Sequence, residues 1–483
     1  MAVDIEAQLR GDNPWWYTAD ALTRDPHLKR YDAGPVRWDP PVMAVMSLQF
    51  EDTHTLRGPR QVGKTTTLKR LIRRLVDAGE RRVLYFSFDT VRESGAIGNV
   101  IRLAKRLHPV PDGPWYIFLD EVTSVPAWEH DVKHCWDSGL TRDDALVLTA
   151  SSARDLRVGT ERLPGRRGRG RDFLQLPMSF RDWCFVQGVP LPDECVAVEE
   201  FLTPAGRRLA VDLYGLGETL ERAFAVYRYS GGFPAAVRDV MTSEARTVDE
   251  STIQMLWHVL AGDLTRMRRD PLAGLKLLQQ VTRSLGSPLK WTNAAEAMAV
   301  ESPMTARDYA ELLAETFTLL TVYYWDIGRQ SLEPKKQRKV YVVDPLYAEL
   351  PHLLIPGTSR PDDDGMVENL VAVALFRSAA LTLMQANAVP GTVGYWRSSD
   401  DREIDFVVPR VTDLENPRRF PVEVKGDNTT GISHARLAIR RSFQQGVVIS
   451  RSRFDWAPDV SVLPVWMVLA GLRDNMYRPL TLG

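Results

Sequence analysis

From residue 54 to residue 152 the apolar positions gather into short unbroken blocks. HTLRG (54–58), RRVLYFSFD (81–89), WYIFLDE (115–121) and ALVLTASS (145–152) each read as a buried strand. Between the first two lies GKTTTLKRLIRRLVDAG (63–79), where Leu68, Leu71, Ile72 and Leu75 recur at helical spacing and Gly79 stands where a C-cap belongs. Helical patterns separate the other blocks too. This alternation predicts a parallel sheet with crossover helices. The Pro-, Trp- and Asp-rich segment 1–45 reads as an arm laid over that domain, with Trp15 and Trp16 as its packing anchor.

From about 180 to 275 the pattern is helices and loops. TNAAEAMAV and SPMTARDYAELLAE then read as two short helices, and FTLLTVYYW and KVYVVD as strands, an order that is the pattern of a winged helix. PGTSRPDDDG (356–365) is a linker candidate. MVENLVAVALFRSA (366–379) opens a last α/β unit with strands expected at 393–396, 403–408, 420–425, 446–450 and 462–468. The expected architecture is therefore α/β, in four parts: 1–180 an arm and sheet domain, 181–275 helical, 276–355 winged-helix-like, and 362–475 a closing α/β domain.

Composition narrows the class. The 483 residues are 44% hydrophobic and 25% charged, ordinary for a globular protein, and a net charge of −1 leaves nucleic-acid binding to local patches. Three cysteines, Cys135, Cys184 and Cys195, form neither a CxxC pair nor a zinc-spaced cluster, which favours a reduced interior. No signal-type apolar core marks the first residues and no 18-residue apolar window occurs. The expectation is a cytoplasmic protein without a membrane partner.

GPRQVGKT (58–65) matches G-x-x-x-x-G-K-[ST] in full, with a strand before it and a helix after it. Gly58, Gln61, Val62, Gly63, Lys64, Thr65 and Thr66 are the expected phosphate cradle. Lys64 brings a point charge and the Thr65 hydroxyl a Mg²⁺ ligand, so ATP and Mg²⁺ are the expected cofactors. Asp120, at a strand end, is placed to hold Mg²⁺, and Glu121 to orient or deprotonate an attacking water. Thr149, Ser151 or Ser152 could sense the γ-phosphate, and any one of them reads equally well as a plain strand cap. In LPGRRGRGR (163–171), Arg166 is a candidate γ-phosphate contact in the same or a neighbouring subunit. A solvated loop or a nucleic-acid contact fits that segment equally.

DNPWW, GPRQVGKTT, LDEV, TASSA, LPGR, LPMSFRDW and SGGFPAAV occur in this order along the chain. In these segments the sequence resembles the AAA-type ATPases of bacteria and archaea that carry a C-terminal domain of unknown function. It departs from them in having TASS for TGSS and PGR for AGR. The resemblance implies an ASCE-type P-loop ATPase with a small helical lid and a winged helix behind it.

The last unit carries charges in apolar runs. Asp405 and Glu423 are separated by seventeen residues, and Lys425 follows Glu423 by two. Period-2 geometry puts Glu423 and Lys425 on one face, which Asp405 on a neighbouring strand can share. Glu368, upstream on a helix, can point inward. Asp405, Glu423 and Glu368 could hold one or two Mg²⁺, with Lys425 stabilising charge. The set resembles the PD-(D/E)XK nuclease fold, a restriction-endonuclease-like α/β domain. The bland alternative is a degenerate domain whose charges form a buried ion-pair network.

GRQSLEPKKQRK (328–339) offers Arg329, Lys335, Lys336, Arg338 and Lys339 on a wing hairpin, and SPMTARDYAELLAE offers Thr305 and Arg307 on a recognition helix. Both suit DNA phosphates, and both can equally be solvated or packed faces. Tyr395 and Trp396 could stack on a base, but such a pair is more often core. Three functions follow. The one favoured by the complete set of Asp405, Glu423 and Lys425 is an ATPase coupled to a metal-dependent nuclease acting on or binding DNA. Another is a nucleotide-controlled switch whose C-terminal domain binds without cutting. The third is a remodeller of protein partners, which would need a pore-loop signal that the sequence does not display. A homo-oligomer is compatible with each.

Overall fold

A computed structural model describes residues 4–150, 165–379, 393–398, 402–410 and 419–474. The chain forms two compact units, Met1–Leu176 and Pro177–Gly483.

The first unit is built on a five-stranded parallel sheet. Its strands are β1 (Thr53–Arg57), β2 (Val83–Ser87), β3 (Tyr116–Asp120), β4 (Ala145–Thr149) and β5 (Asp172–Leu174), in the order β2-β3-β4-β1-β5. All four apolar blocks of the sequence are strands, and the periodic segment after β1 is the helix Lys64–Asp77. Strands covered on both faces lose their alternation, which is why these blocks read as continuous apolar runs. Their side chains and those of helix Ala96–Leu107 form one core around Phe86, Ile101, Ile117 and Leu148.

The arm closes the exposed edge of that sheet. β2 is the edge strand, and its backbone groups would otherwise face solvent. Asn13 acts as a surrogate strand: its Nδ2 donates to Tyr85 O at 2.8 Å, and Tyr85 N donates to its Oδ1 at 2.7 Å. The indoles of Trp15 and Trp16 both donate to Val83 O. The expectation of tryptophans as anchors of a packed arm is met, and Asn13 joins them.

The second unit starts with the helices Phe180–Val186, Pro204–Gly215, Gly217–Ser230, Pro234–Thr242 and Glu250–Arg266. Helices Pro271–Arg283, Trp291–Met298 and Pro303–Glu315 follow, then a hairpin of β6 (Leu319–Asp326) and β7 (Ser331–Val342). That is the element order expected of a winged helix. The hairpin, however, continues a larger sheet. With β8 (Gly394–Arg397), β9 (Glu403–Val408), β10 (Phe420–Val424), β11 (Gly446–Ser450) and β12 (Val460–Pro464) it makes seven strands in the order β12-β11-β10-β9-β8-β6-β7. Tyr323 and Tyr324 pair in parallel with Gly394 and Tyr395. The Pro- and Asp-rich stretch at 356–365 therefore does not divide the sheet, because β6 pairs with β8 beyond it.

One expected strand is shorter than its apolar run. Of 462–468, only the start belongs to β12, and Val465–Gly471 is a helix. Both pieces are buried on every side, and uniform burial removes the periodicity that would tell strand from helix.

Candidate functional site

The phosphate loop leaves β1 and enters the helix Lys64–Asp77. Gly58 has φ +153° and a Cβ there would lie 2.0 Å from Gln175 O, so only glycine passes this point. Gly63 has φ +95° at the helix start, and Gln61 is also left-handed at φ 64°. The helix amides thus open onto the loop with the positive end of the dipole behind them. Lys64 Nζ donates to Gly58 O at 2.9 Å and to Pro59 O at 3.0 Å, which holds the ammonium over the loop.

Sheet order completes the site. β4 lies between β1 and β3, so residues far apart in sequence end side by side. Asp120 closes β3, nearly fully buried. Its Oδ2 accepts from the Thr65 hydroxyl at 2.7 Å and from the Tyr85 hydroxyl at 3.1 Å, and its Oδ1 accepts from the Thr149 hydroxyl. Thr149 Oγ1 in turn accepts from Glu121 N at 3.1 Å. Glu121 sits at φ 54°, a left-handed backbone that a non-glycine residue holds at a cost of about 1 kcal/mol or more. A hydroxyl and a carboxylate on hard oxygen atoms suit Mg²⁺, so Thr65 and Asp120 are the pair that could hold it. The loop and Lys64 suit a nucleoside triphosphate.

Sequence reasoning missed the groups behind this site. Gln175 follows β5 and is fully buried. Its Nε2 donates to Val62 O at 2.9 Å, and its Oε1 accepts from the Thr67 hydroxyl at 3.0 Å. It clamps the loop to the first turn of the helix. Lys69, on that helix, is buried against Asp25 of the arm at 3.3 Å and lies 3.6 Å from the centroid of the Tyr85 ring. Burial pushes its ammonium below the usual lysine range despite the carboxylates of Asp25 and Asp12. No motif flagged either residue.

Thr66 is the third residue of the loop helix, and Thr149 is the sensor candidate the geometry places on Asp120. Ser151 and Ser152 lie outside the described residues. Arg166 pairs with Asp137, its Nε at 2.7 Å from Oδ1, on the protein surface.

In the second unit the structure brings Asp405, Glu423, Lys425 and Glu368 together. Asp405 on β9 lies directly across from Glu423 on β10, given the antiparallel register of Val422 with Phe406. Asp405 N donates to Glu423 Oε2, and Val424 N to Asp405 Oδ2, both at 2.9 Å. Lys425 Nζ is 2.7 Å from Glu423 Oε1 and 3.8 Å from Asp405 Oδ2. The sequence did not reveal a second lysine. Lys339 of β7, fully buried, puts its Nζ 3.0 Å from Asp405 Oδ1, 3.1 Å from Glu368 Oε1 and 2.7 Å from Glu403 Oε1. Tyr341 donates to the same Glu368 oxygen at 2.6 Å. Lys339 thus sits among the carboxylates expected to hold metal ions. Among the described residues no three His, Cys, Asp or Glu side chains gather as a metal cage. Glu403 was legible in principle, since it precedes Asp405 by two and shares its face.

The charges are unequal. Burial pushes Glu423 up to about 8, with the nearby Asp405 carboxylate adding to the effect. Glu368 rises to about 7 for the same two reasons. Asp405 goes the other way: burial opposes its ionisation, but Lys339 and Lys425 hold it below the usual carboxylate range.

Lys339 also corrects the wing expectation. The β6–β7 register jumps from Tyr323 opposite Arg338 to Tyr324 opposite Glu333, which leaves residues 334–337 of β7 without a partner on β6. Lys335 and Lys336 are exposed there. Arg329 pairs with Glu333. Arg338 and Lys339 are buried, the first against Glu311 at 3.2 Å, so they are withdrawn from any phosphate. Arg307 also pairs with Glu311, and Thr305 N bonds the Ser302 cap. Tyr395 and Trp396 are core residues, Trp396 packing edge-on to Phe443.

Residues 51–184 match the family model described as an AAA domain, and residues 364–467 match a domain of unknown function, DUF4143. No curated protein matches. Similar solved structures include the Walker-type ATPase PABY2304 of Pyrococcus abyssi. It is 11% identical, with TM-score 0.38, over 70% of this chain and 96% of that one. The Aeropyrum pernix ORC1 protein in complex with DNA is 16% identical, with TM-score 0.27, over 77% and 93%. S. cerevisiae Hsp104 in its ADP complex is 13% identical, with TM-score 0.26, over 65% and 41%. At such scores these likenesses carry no argument. The chain has an AAA-type P-loop ATPase domain and, after it, a DUF4143 domain. No described helix is long and apolar enough to cross a membrane.

Proposed function

We propose that this protein binds and hydrolyses ATP at the loop 58–65 and uses that cycle as a switch, with a C-terminal domain that binds nucleic acid, DNA in the first instance, without cutting it. The observation that carries the ATPase reading is the convergence of the Thr65 and Thr149 hydroxyls on Asp120, with Glu121 next in the chain. In this reading the loop amides and Lys64 bind the phosphates. Thr65 and Asp120 hold Mg²⁺, which supplies charge neutralisation on the phosphate oxygens when bound. Glu121 orients or deprotonates the attacking water, and Thr149 keeps the Glu121 amide in place. Arg166 is a γ-phosphate contact only if it leaves Asp137. For the DNA reading, the exposed Arg329, Lys335 and Lys336 are what remains of the wing cations.

The test is ATP turnover. Lys64→Ala is expected to abolish it, and Glu121→Gln to retain ATP while slowing hydrolysis. Turnover in a clean Lys64→Ala preparation would sink the assignment of the loop.

The second reading is a metal-dependent nuclease, and the facing of Asp405 and Glu423 with Lys425 beside them is what favours it. It requires Glu368, Asp405 and Glu423 to take Mg²⁺, with Lys425 assisting. Lys339 among the same carboxylates is the reason we rank it second. DNA cleavage with Mg²⁺ or Mn²⁺, lost in Asp405→Ala and Glu423→Ala, would reverse the order.

A further inference from the structure

We propose that Lys339 is the resident cation of the carboxylate centre in the second unit: its ammonium takes the place a divalent metal would need and makes the centre metal-independent. This goes beyond the ATPase reading and does not rest on it.

The geometry carries the inference. An ammonium has three N–H donors. Lys339 Nζ has three carboxylate neighbours on three different residues, Glu403 at 2.7 Å, Asp405 at 3.0 Å and Glu368 at 3.1 Å. Its donors are matched in number. The side chain has no solvent exposure, so the ammonium cannot swing out to water while a metal enters. The backbone locks it further. Lys339 pairs with Val322 in the β6–β7 ladder, while Leu289 N donates to Arg338 O beside it. The Tyr395 ring lies 5.7 Å from the ammonium and closes another side.

A divalent ion binds carboxylate oxygens at about 2.0–2.6 Å. To use Glu368, Glu403 or Asp405 here, it would have to share their oxygens with a fixed positive charge. The remaining corner, Glu423, is held by Lys425 and by the Asp405 amide. The two lysines thus flank Asp405, one at each oxygen. Lys425 is the more exposed of them and stays available to an anionic partner.

Removing Lys339 should create what it prevents. Glu368, Glu403 and Asp405 would be left without their cation, hard-oxygen donors released to close on Mg²⁺ or Mn²⁺. A purely structural lysine would not change metal stoichiometry in this way.

The experiment counts bound Mn²⁺ on the full chain, free of nucleotide, by electron paramagnetic resonance during titration. In the wild-type background, Asp405→Asn is expected to leave the count unchanged. Lys339→Met, which keeps the aliphatic volume, is expected to gain about one Mn²⁺ per chain, and adding Asp405→Asn is expected to remove it. A wild-type Mn²⁺ that disappears in Asp405→Asn would overturn the proposal, and this arm needs no Lys339 variant to fold. A folded Lys339→Met protein with the wild-type count would overturn it too. ATP turnover is measured alongside; its loss would speak to the phosphate loop and not to this centre.

Discussion

Replacing Gln175 by Leu tests whether the phosphate loop is held from behind. Leucine keeps much of the buried volume and removes both polar atoms. Two hydrogen bonds vanish, to Val62 O and from the Thr67 hydroxyl. Neutral bonds of this kind contribute about 1 kcal/mol each, and a buried carbonyl left without its donor costs a further ~1–3 kcal/mol. The Thr67 hydroxyl keeps Gly63 O at 3.2 Å, so only the Val62 carbonyl loses its side-chain donor. The expected loss is about 2–4 kcal/mol. At roughly 2–4 °C per kcal/mol for a domain of this size, nucleotide-free melting of the first unit should fall by ~5–10 °C. Where nucleotide must re-order the freed loop, part of the loss reappears as affinity. About 1.4 kcal/mol of it weakens binding tenfold. The assay is thermal unfolding together with titration of a fluorescent ATP analogue. Gln175→Glu is the informative companion: it can still accept from Thr67 but adds a carboxylate under the phosphates, so its affinity should fall further than its melting point. A Gln175→Leu protein that melts and binds nucleotide like wild type would refute the clamp.

Asn13→Ala should expose both Tyr85 backbone groups it pairs with, costing about 2–4 kcal/mol, and hydrogen exchange at the Tyr85 amide should accelerate sharply; unchanged protection would mean that the arm does not seal β2. Gly58→Ala forces a Cβ into Gln175 O and should abolish nucleotide binding, read by the same analogue titration. The carboxylate centre predicts a pH dependence. Glu423 and Glu368 are raised to about 8 and about 7, so the stability they contribute is complete below the ordinary glutamate value and is lost as pH rises through 7 to 8. The lowered Asp405 acts oppositely and loses its contribution only in acid, as pH falls through its depressed value. The urea midpoint of the second unit should therefore fall between pH 5 and 9, and Glu423→Gln should flatten that slope; a slope unchanged in the variant would assign it elsewhere.

What the sequence determined by itself was whatever lies close together along the chain. The loop 58–65, the helix after it and the acid pair at 120–121 are contiguous or sit at the ends of uniformly apolar runs. Local chemistry there has one reading: a backbone turn that needs glycines, and a helix start that needs a phosphate. Asp405, Glu423 and Lys425 were legible because strand period two assigns faces before any pairing is known. The tertiary structure alone decided which distant groups meet them. Gln175 reaches a loop more than a hundred residues earlier because β5 pairs with β1. Asn13 matters because β2 is an edge, and edge position is a property of sheet order. Lys339 is the clearest case. In the run PKKQRK it looks like its neighbours, yet the β6–β7 irregularity leaves Lys335 and Lys336 in solvent and returns Lys339 to the ladder, facing carboxylates from β9 and from the helix Asp363–Ala379. Composition records the charge of a side chain; only the packing of strands determines whether that charge meets water, phosphate or three acids.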